Sequence, residues 1–186
     1  MILWRLLPWR PSVLPTNPGG ALWFPRELQG TGRHDNPDRY GCLYVSESSI
    51  SVLVEALAPF RGAQALTSGM LVRGGVSLSL AQLELDDRAD LMDLDDPSGL
   101  IDAELRPSEV ATSMRTTTQS HALRLFDAHP ELLGLRWWST IEASLINLTL
   151  FDRIVSGLKV INIASLTLDH PTVRDAAELL GLVSKP

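Results

Sequence analysis

The apolar positions change period along the chain, and those changes mark its elements. Ile2 to Leu6 is a short apolar run with Arg5 inside or at its end, which predicts a first strand. Pro8, Pro11, Pro15 and Pro18-Gly19-Gly20 then impose a long loop, because proline lacks a backbone donor and glycine loosens the chain. A brief apolar Leu22-Trp23-Phe24 leads into a turn-rich stretch, Gly30-Thr31-Gly32-Arg33-His34-Asp35-Asn36-Pro37. Cys42 to Ser46 reads as a buried strand. The period then lengthens: Ile50, Leu53, Val54, Leu57 and Ala58 recur at the spacing of one helical stripe, which predicts a helix over Ser48–Phe60. Ser46, Ser48 and Ser49 are candidate N-caps, and Pro59 with Arg61-Gly62 ends the helix.

Farther on, Val76, Leu78 and Leu80 alternate with Ser77 and Ser79, the mark of a half-buried strand. Leu83 and Leu85 resume the alternation one residue out of step, which predicts a bulge near Ala81-Gln82. Leu91–Leu94 reads as a strand. Pro97 to Met114 reads as helix in pieces, broken at Pro107, and Thr118 to His129 as a helix stopped by Pro130. Gly134 to Trp138 is a strand entering Ser139, whereas Ile141 to Phe151 fits either strand or helix. Lys159 to Leu168 is rich in β-branched residues, and Asp169-His170-Pro171 caps a closing helix, Thr172 to Leu180, ended by Gly181. Strands and helices mix without regular βαβ alternation and without a linker. The expectation is one α+β domain over residues 1–186.

Three residues stand out from this pattern. Arg33, Tyr44 and Glu55 follow one another at equal steps of eleven residues, on a loop, a strand and a helix. At the helical turn angle, Glu55 falls roughly 100° from Val54, on the flank of the apolar stripe. Taken alone it reads as a solvated flank residue, as most helical glutamates are. In the company of a cation and an aromatic ring it reads as part of a site for an anionic, ring-bearing ligand such as a nucleotide. Trp137-Trp138-Ser139 adds two rings that can wall a pocket and a hydroxyl, against an alternative of core tryptophans beside an incidental serine.

Composition narrows the options. The chain is 45% hydrophobic and 20% charged, with net charge −6, so it belongs with ordinary globular proteins. With two lysines and no basic cluster it lacks the footprint of nonspecific nucleic-acid binding, and an anionic ligand needs local arginines. Cys42 is the lone cysteine; no internal disulfide can form, which suits a reducing compartment, and a small buried hydrophobe is favoured over a catalytic thiol. The start, Met1 to Pro8, lacks a leader pattern, and no apolar run approaches membrane-spanning length, so a cytoplasmic location is expected. The sequon Asn147-Leu148-Thr149 reads as accidental.

Other constellations fail on chemistry. The acidic run Asp86 to Asp96 lacks the glycine and terminal glutamate of a calcium loop and reads as a solvated face. His34, His121, His129 and His170 show no ligand spacing, so no metal is expected. Gly69 to Gly75 lacks the lysine of a phosphate loop and reads as a turn, and no Gly-x-Ser-x-Gly nucleophile elbow occurs.

The residues singled out resemble, as a set, the RES domain, the toxin half of RES–Xre toxin–antitoxin pairs. The matching text is Gly32-Arg33-His34-Asp35, Gly41-Cys42-Leu43-Tyr44-Val45-Ser46-Glu47, Val54-Glu55-Ala56-Leu57, Thr117-Thr118-Gln119, Leu133-Gly134-Leu135-Arg136-Trp137-Trp138-Ser139 and Leu150-Phe151-Asp152. It runs in the family's order from Ile2 to about Leu158, and the segment beyond carries no match. Many members have Trp-Asn after the arginine, where this chain has His34-Asp35. The resemblance implies an ADP-ribosyltransferase-like mixed sheet with flanking helices and a pocket for NAD lined by Arg33, Tyr44, Glu55 and Ser139, with Arg5 a further candidate. It implies NAD as the substrate and no other cofactor, with water, inorganic phosphate or a protein as acceptor. Cleavage of NAD, ADP-ribosyl transfer to a host protein and a silent nucleotide-binding module all fit that pocket. It also implies a helix-turn-helix antitoxin of the Xre type as partner, and leaves room for a homo-oligomer.

Overall fold

The first strand, β1 (Ile2–Pro8), decides where an opening in the molecule lies. In the computed structural model, which describes residues 1–182, β1 is antiparallel to β4 (Val76–Glu84) over its full length, from Ile2 opposite Glu84 to Pro8 opposite Leu78. Its other edge meets β2 (Cys42–Ser46) at a single pair, Trp4 opposite Ser46. Beyond that pair the strands diverge. The last four positions of the expected 1–186 domain lie outside the described residues.

Around this split runs an eight-stranded sheet. From β2 it continues through β7 (Ile146–Phe151) and β6 (Gly134–Trp138) to β5 (Leu91–Asp93), which runs parallel to β6. From β4 it continues to β3 (Val72–Arg73) and to β8 (Lys159–Ser165). This is an α+β architecture with a mixed sheet and flanking helices, as expected.

Side chains alternate across a strand, so parity assigns each residue to a face. Trp4, Leu6, Leu78 and Leu80 face α1 (Ser49–Leu57) and α5 (Pro171–Leu179), where Leu53, Leu57, Val173 and Ala176 complete the core. Ser48 caps α1, its side chain accepting from the Ser51 amide at 3.2 Å. On the same face Cys42, Leu135, Trp137 and Phe151 lie beneath Ala122 and Leu125 of α4 (Arg115–Ala128). The two short helices α2 (Pro97–Asp102) and α3 (Pro107–Val110) approach from the side, broken at Pro107 as the sequence requires. The reverse face gathers Leu3, Leu7, Leu43, Val45, Leu83, Leu148 and Leu150 against Leu22, Ile154 and Leu158.

Three expectations gain detail. Leu78 and Leu80 bury on one face of β4, Ala81 and Leu83 on the other, so the phase shift records a sheet covered on both sides. Pairing with β1 is unbroken there; the irregularity lies against β8, where Gln82 pairs with Asn162 and Leu83 with Val160, leaving Ile161 extra. The ambiguous Ile141–Phe151 tract is strand from Ile146 onward. The helix expected from Thr118 begins at Arg115, which carries a cation to the rim of the opening described next.

Candidate active site

The loop that carries Arg33 is organised by a carboxylate. Asp35 is buried; its Oδ2 accepts from the amides of Gly30 (2.8 Å) and Gly32 (2.7 Å), and its Oδ1 accepts from the Tyr44 hydroxyl (2.7 Å). That hydroxyl in turn accepts from the His34 amide at 3.0 Å. From α4, the Thr118 hydroxyl donates to the Arg33 carbonyl and the Gln119 side chain donates to the carbonyls of Gly30 and Gly32. A Cβ on Gly32 would stand 2.5 Å from both Asp35 Oδ1 and the Tyr44 hydroxyl oxygen, so glycine is required by space. Burial, then the charges of Arg33, Arg115 and His121, hold the His34 pKa down to about 3. Its neutral ring meets the Thr149 hydroxyl at 2.7 Å and stands edge-on to Trp137. His34 and Asp35, the departures from the usual family text, are therefore the residues that build this loop.

Arg33 is held on one side only. Its Nη1 donates to the carbonyls of Val110 and Thr112, both at 2.9 Å, and its guanidinium lies 4.9 Å from the Trp137 ring centre. Nε and Nη2 have no protein partner among the described residues. Burial and then the nearby charge of Arg115 lower the Arg33 pKa, an unfavourable proximity of cations that an anion would relieve.

Glu55 is fixed by a network no local pattern announces. Its Oε1 accepts from the Ser139 hydroxyl at 2.7 Å and from Asn147 Nδ2 at 3.0 Å. Asn147 Oδ1 accepts from the hydroxyls of Ser46 and Ser51, the latter at 2.8 Å. Both donors to Glu55 use the same oxygen. Oε2 has no protein partner among the described residues.

These groups meet where β1 and β2 part, in a cavity of about 530 Å³ lined by Arg33, Tyr44, Glu55, Trp137 and Asn147 together with Arg73 and Arg115. Glu55 stands on the flank of the α1 stripe and lines this cavity together with Arg33 and Tyr44. Ser139 does not line the cavity. It is buried behind Glu55, donating to it and accepting from the Ile141 amide at 3.0 Å, so the expected lining position is taken by Glu55 and Ser139 reaches the cavity only through it. Arg5 is a correction of a different kind. Its odd position on β1 sends it to the reverse face, away from Trp4 and Leu6. There it donates to the carbonyls of Ala21 and of Trp23 (2.8 Å) and lines a separate hollow; desolvation lowers its pKa to about 10.

A family model for the RES domain matches residues 2–170. The chain belongs to the RES domain family. The match extends past Leu158, the end of the resemblance in the sequence motifs, through β8 to the start of α5. The chain is also similar in fold to a crystal structure of the M. tuberculosis MbcT–MbcA toxin–antitoxin complex, with 17% identity and a TM-score of 0.64 over 97% of this chain and 88% of that one. No curated protein matches it by sequence.

Three residues that line this cavity carry no signal in the local sequence. Asn147 was hidden in a sequon; in the fold it is buried in β7, opposite Ser46. Arg73 sits in what reads as a mere turn before Gly74-Gly75, both at positive φ; its guanidinium is tied to the carbonyls of Met70, Val72 and Ala56. Arg115 had only its place before an apolar pattern to suggest it. Cys42 is buried at the base of the Arg33 loop with its thiol pushed far up in pKa by burial, and it donates to the His34 carbonyl at 3.3 Å. Within the acidic run, Asp86 pairs with Arg88, Asp87 with the N-terminal amine, and Asp93 and Asp95 with Arg136. Among the described residues no group of three His, Cys, Asp or Glu is placed to hold a metal, and no helix is long and apolar enough to cross a membrane.

Proposed function

We propose that this RES chain cleaves the nicotinamide–ribose bond of NAD, with Glu55 as the catalytic carboxylate. The observation that carries the reading is a carboxylate anchored through one oxygen, with the other free, in a cavity whose remaining charged groups are Arg33, Arg73 and Arg115. The protein as a whole has net charge −6, so three arginines converging on one cavity mark a place for a polyanion. The cavity is of a size that suits a nucleotide-like ligand. Arg33, with Nε and Nη2 free, offers a planar fork to pyrophosphate. The rings of Tyr44 and Trp137 offer flat apolar walls for a base or a pyridine ring.

The chemistry asks little more. When the glycosidic bond breaks, its electron pair goes to the nicotinamide nitrogen, which leaves neutral, so no strong general acid is needed. The ribose carbon gains oxocarbenium character. Glu55 Oε2 stabilises that positive charge and orients a ribose hydroxyl or the attacking group. Attack by water yields ADP-ribose and a proton; attack by inorganic phosphate yields the 1″-phosphate; attack by a protein side chain yields an ADP-ribosylated protein. Ser139 and Asn147 serve by holding Glu55.

Such a chain acts in the cytoplasm as a toxin whose loss of NAD is restrained by an antitoxin. This is supported by membership of the RES family and by similarity to a solved toxin–antitoxin complex. A helix-turn-helix antitoxin of the Xre type is the partner the family resemblance implies. The test is incubation of the purified chain with labelled NAD, with and without phosphate, followed by chromatography. NAD loss that Glu55→Gln reduces at least 100-fold (about 2.7 kcal/mol of transition-state stabilisation) is the expected result. Label retained on a protein would assign transfer, and free ADP-ribose or its phosphate would assign degradation. Folded wild-type protein that binds NAD without turnover under any condition would make it a silent module and sink the proposal.

A further inference from the structure

Asn147 has a role that its burial alone does not explain. Its side chain joins three elements: β7, which carries it; β2, through Ser46; and α1, through Ser51 and Glu55. Which end of the amide faces Glu55 follows from chemistry. A carboxylate only accepts, so the NH2 end must face it. Oδ1 is then left for the two serine hydroxyls, both of which donate to it. Two hydroxyl donors on one end therefore lock the amide in the orientation that presents Nδ2 to Glu55. Ser139, just after β6, supplies the second donor to the same oxygen.

We infer that Asn147 is a positioning residue: the Ser46–Asn147–Ser51 clamp and Ser139 together saturate Glu55 Oε1 and so present Oε2 alone to the reacting ribose. The inference rests on the NAD-cleaving reading of the cavity. It adds that the geometry of the carboxylate, and not only its presence, is built by a buried polar network. Such a network is of use only when complete, because a half-satisfied one leaves buried polar atoms unpaired. The clamp contributes to the reaction step more than to ligand capture, since Arg33, Arg73 and Arg115 line the cavity without hydrogen-bonding to it.

Three variants test this with readouts that a purely structural role would not move. Asn147→Asp keeps the shape but places a second carboxyl against Glu55 Oε1. Two carboxyls sharing one site cannot both ionise readily, so the pair retains a proton to higher pH. The acidic limb of the kcat profile for NAD loss should move up by about one pH unit or more. Asn147→Ala should lower kcat at least 30-fold while KM changes less than threefold. Ser51→Ala, the mildest change, should lower kcat about threefold and leave the melting temperature close to wild type. If Asn147→Ala does not fold, the aspartate and Ser51→Ala arms decide. A uniform loss at every pH for the aspartate variant, or a rise in KM with kcat intact, would overturn the inference. Carboxyl 13C titration of glutamate-labelled protein separates the two levels of the argument. If the wild type consumes no NAD, yet Asn147→Asp shifts the Glu55 titration, the reaction reading fails and the clamp stands. If wild type is active and neither the titration nor the profile moves, the clamp fails alone.

Discussion

At the scale of single residues, the site depends on what each charged group leaves unengaged. Arg33 has Nη1 committed to two carbonyls, while Nε and Nη2 have no protein partner among the described residues. Arg33→Lys keeps the charge but loses the planar fork and the ability to hold both carbonyls and a phosphate at once. NAD binding should weaken about tenfold or more, about 1.4 kcal/mol, with the charge-dependent part surviving. Calorimetry in the Glu55→Gln background, where no turnover intervenes, measures it; unchanged affinity would remove Arg33 from the binding role. The same economy applies to Glu55, which has one oxygen committed and one free. A sequence lists both residues. It does not list which of their atoms are occupied, because the occupying partners stand 77 to 92 positions away along the chain.

At the scale of elements, two segments with the same surface character do different work. The Arg33 loop is packed so closely that Gly32→Ala forces a Cβ into Asp35 and Tyr44. Stability should fall by about 1–3 kcal/mol, and NAD loss should fall with it, because the loop that aims Arg33 can no longer close on Asp35. A variant with wild-type melting and activity would show that the loop gives way easily. β1 offers the contrast. Arg5→Leu removes the donors to the carbonyls of Ala21 and Trp23, and stability should drop by about 1–3 kcal/mol, whereas KM for NAD should stay within twofold. A large rise in KM would return Arg5 to the site. Helix α1 was readable almost residue by residue from its cap and stripe, since those signals are local. The loop was recognisable as a turn, yet its closure by Thr118 and Gln119 of α4 could not be read, because those partners arrive from a distant helix.

At the scale of the whole molecule, the opening between β1 and β2 places a positive cavity in an acidic protein, and it carries a consequence for stability. His34 titrates at about 3 in the folded chain against about 6.5 when unfolded, because burial and the cations Arg33 and Arg115, with His121, disfavour its charged form. The unfolded chain therefore binds a proton that the folded chain does not. The contribution is fully present above about pH 6.5 and is lost as pH falls towards 3. Between pH 7 and pH 5 this one group should cost about 2 kcal/mol. Urea denaturation at the two values should show the loss in wild type and a smaller one in His34→Gln. Equal losses in both would mean that other groups govern the acid response.

The amphipathic periods, the proline and glycine punctuation and the α+β class were determined by the sequence alone, because each depends on neighbours within one or two turns of chain. So was the set Arg33, Tyr44 and Glu55, whose residue types and even spacing mark them as candidates. The tertiary structure decided what those residues face. The strand parity that sends Arg5 to the reverse side, the burial of Ser139 behind Glu55 and the arrival of Asn147, Arg73 and Arg115 at the cavity all follow from pairings between distant strands. A site is a property of atoms brought together across the fold. Which oxygen of Glu55 is held, and which is free, depends on that convergence.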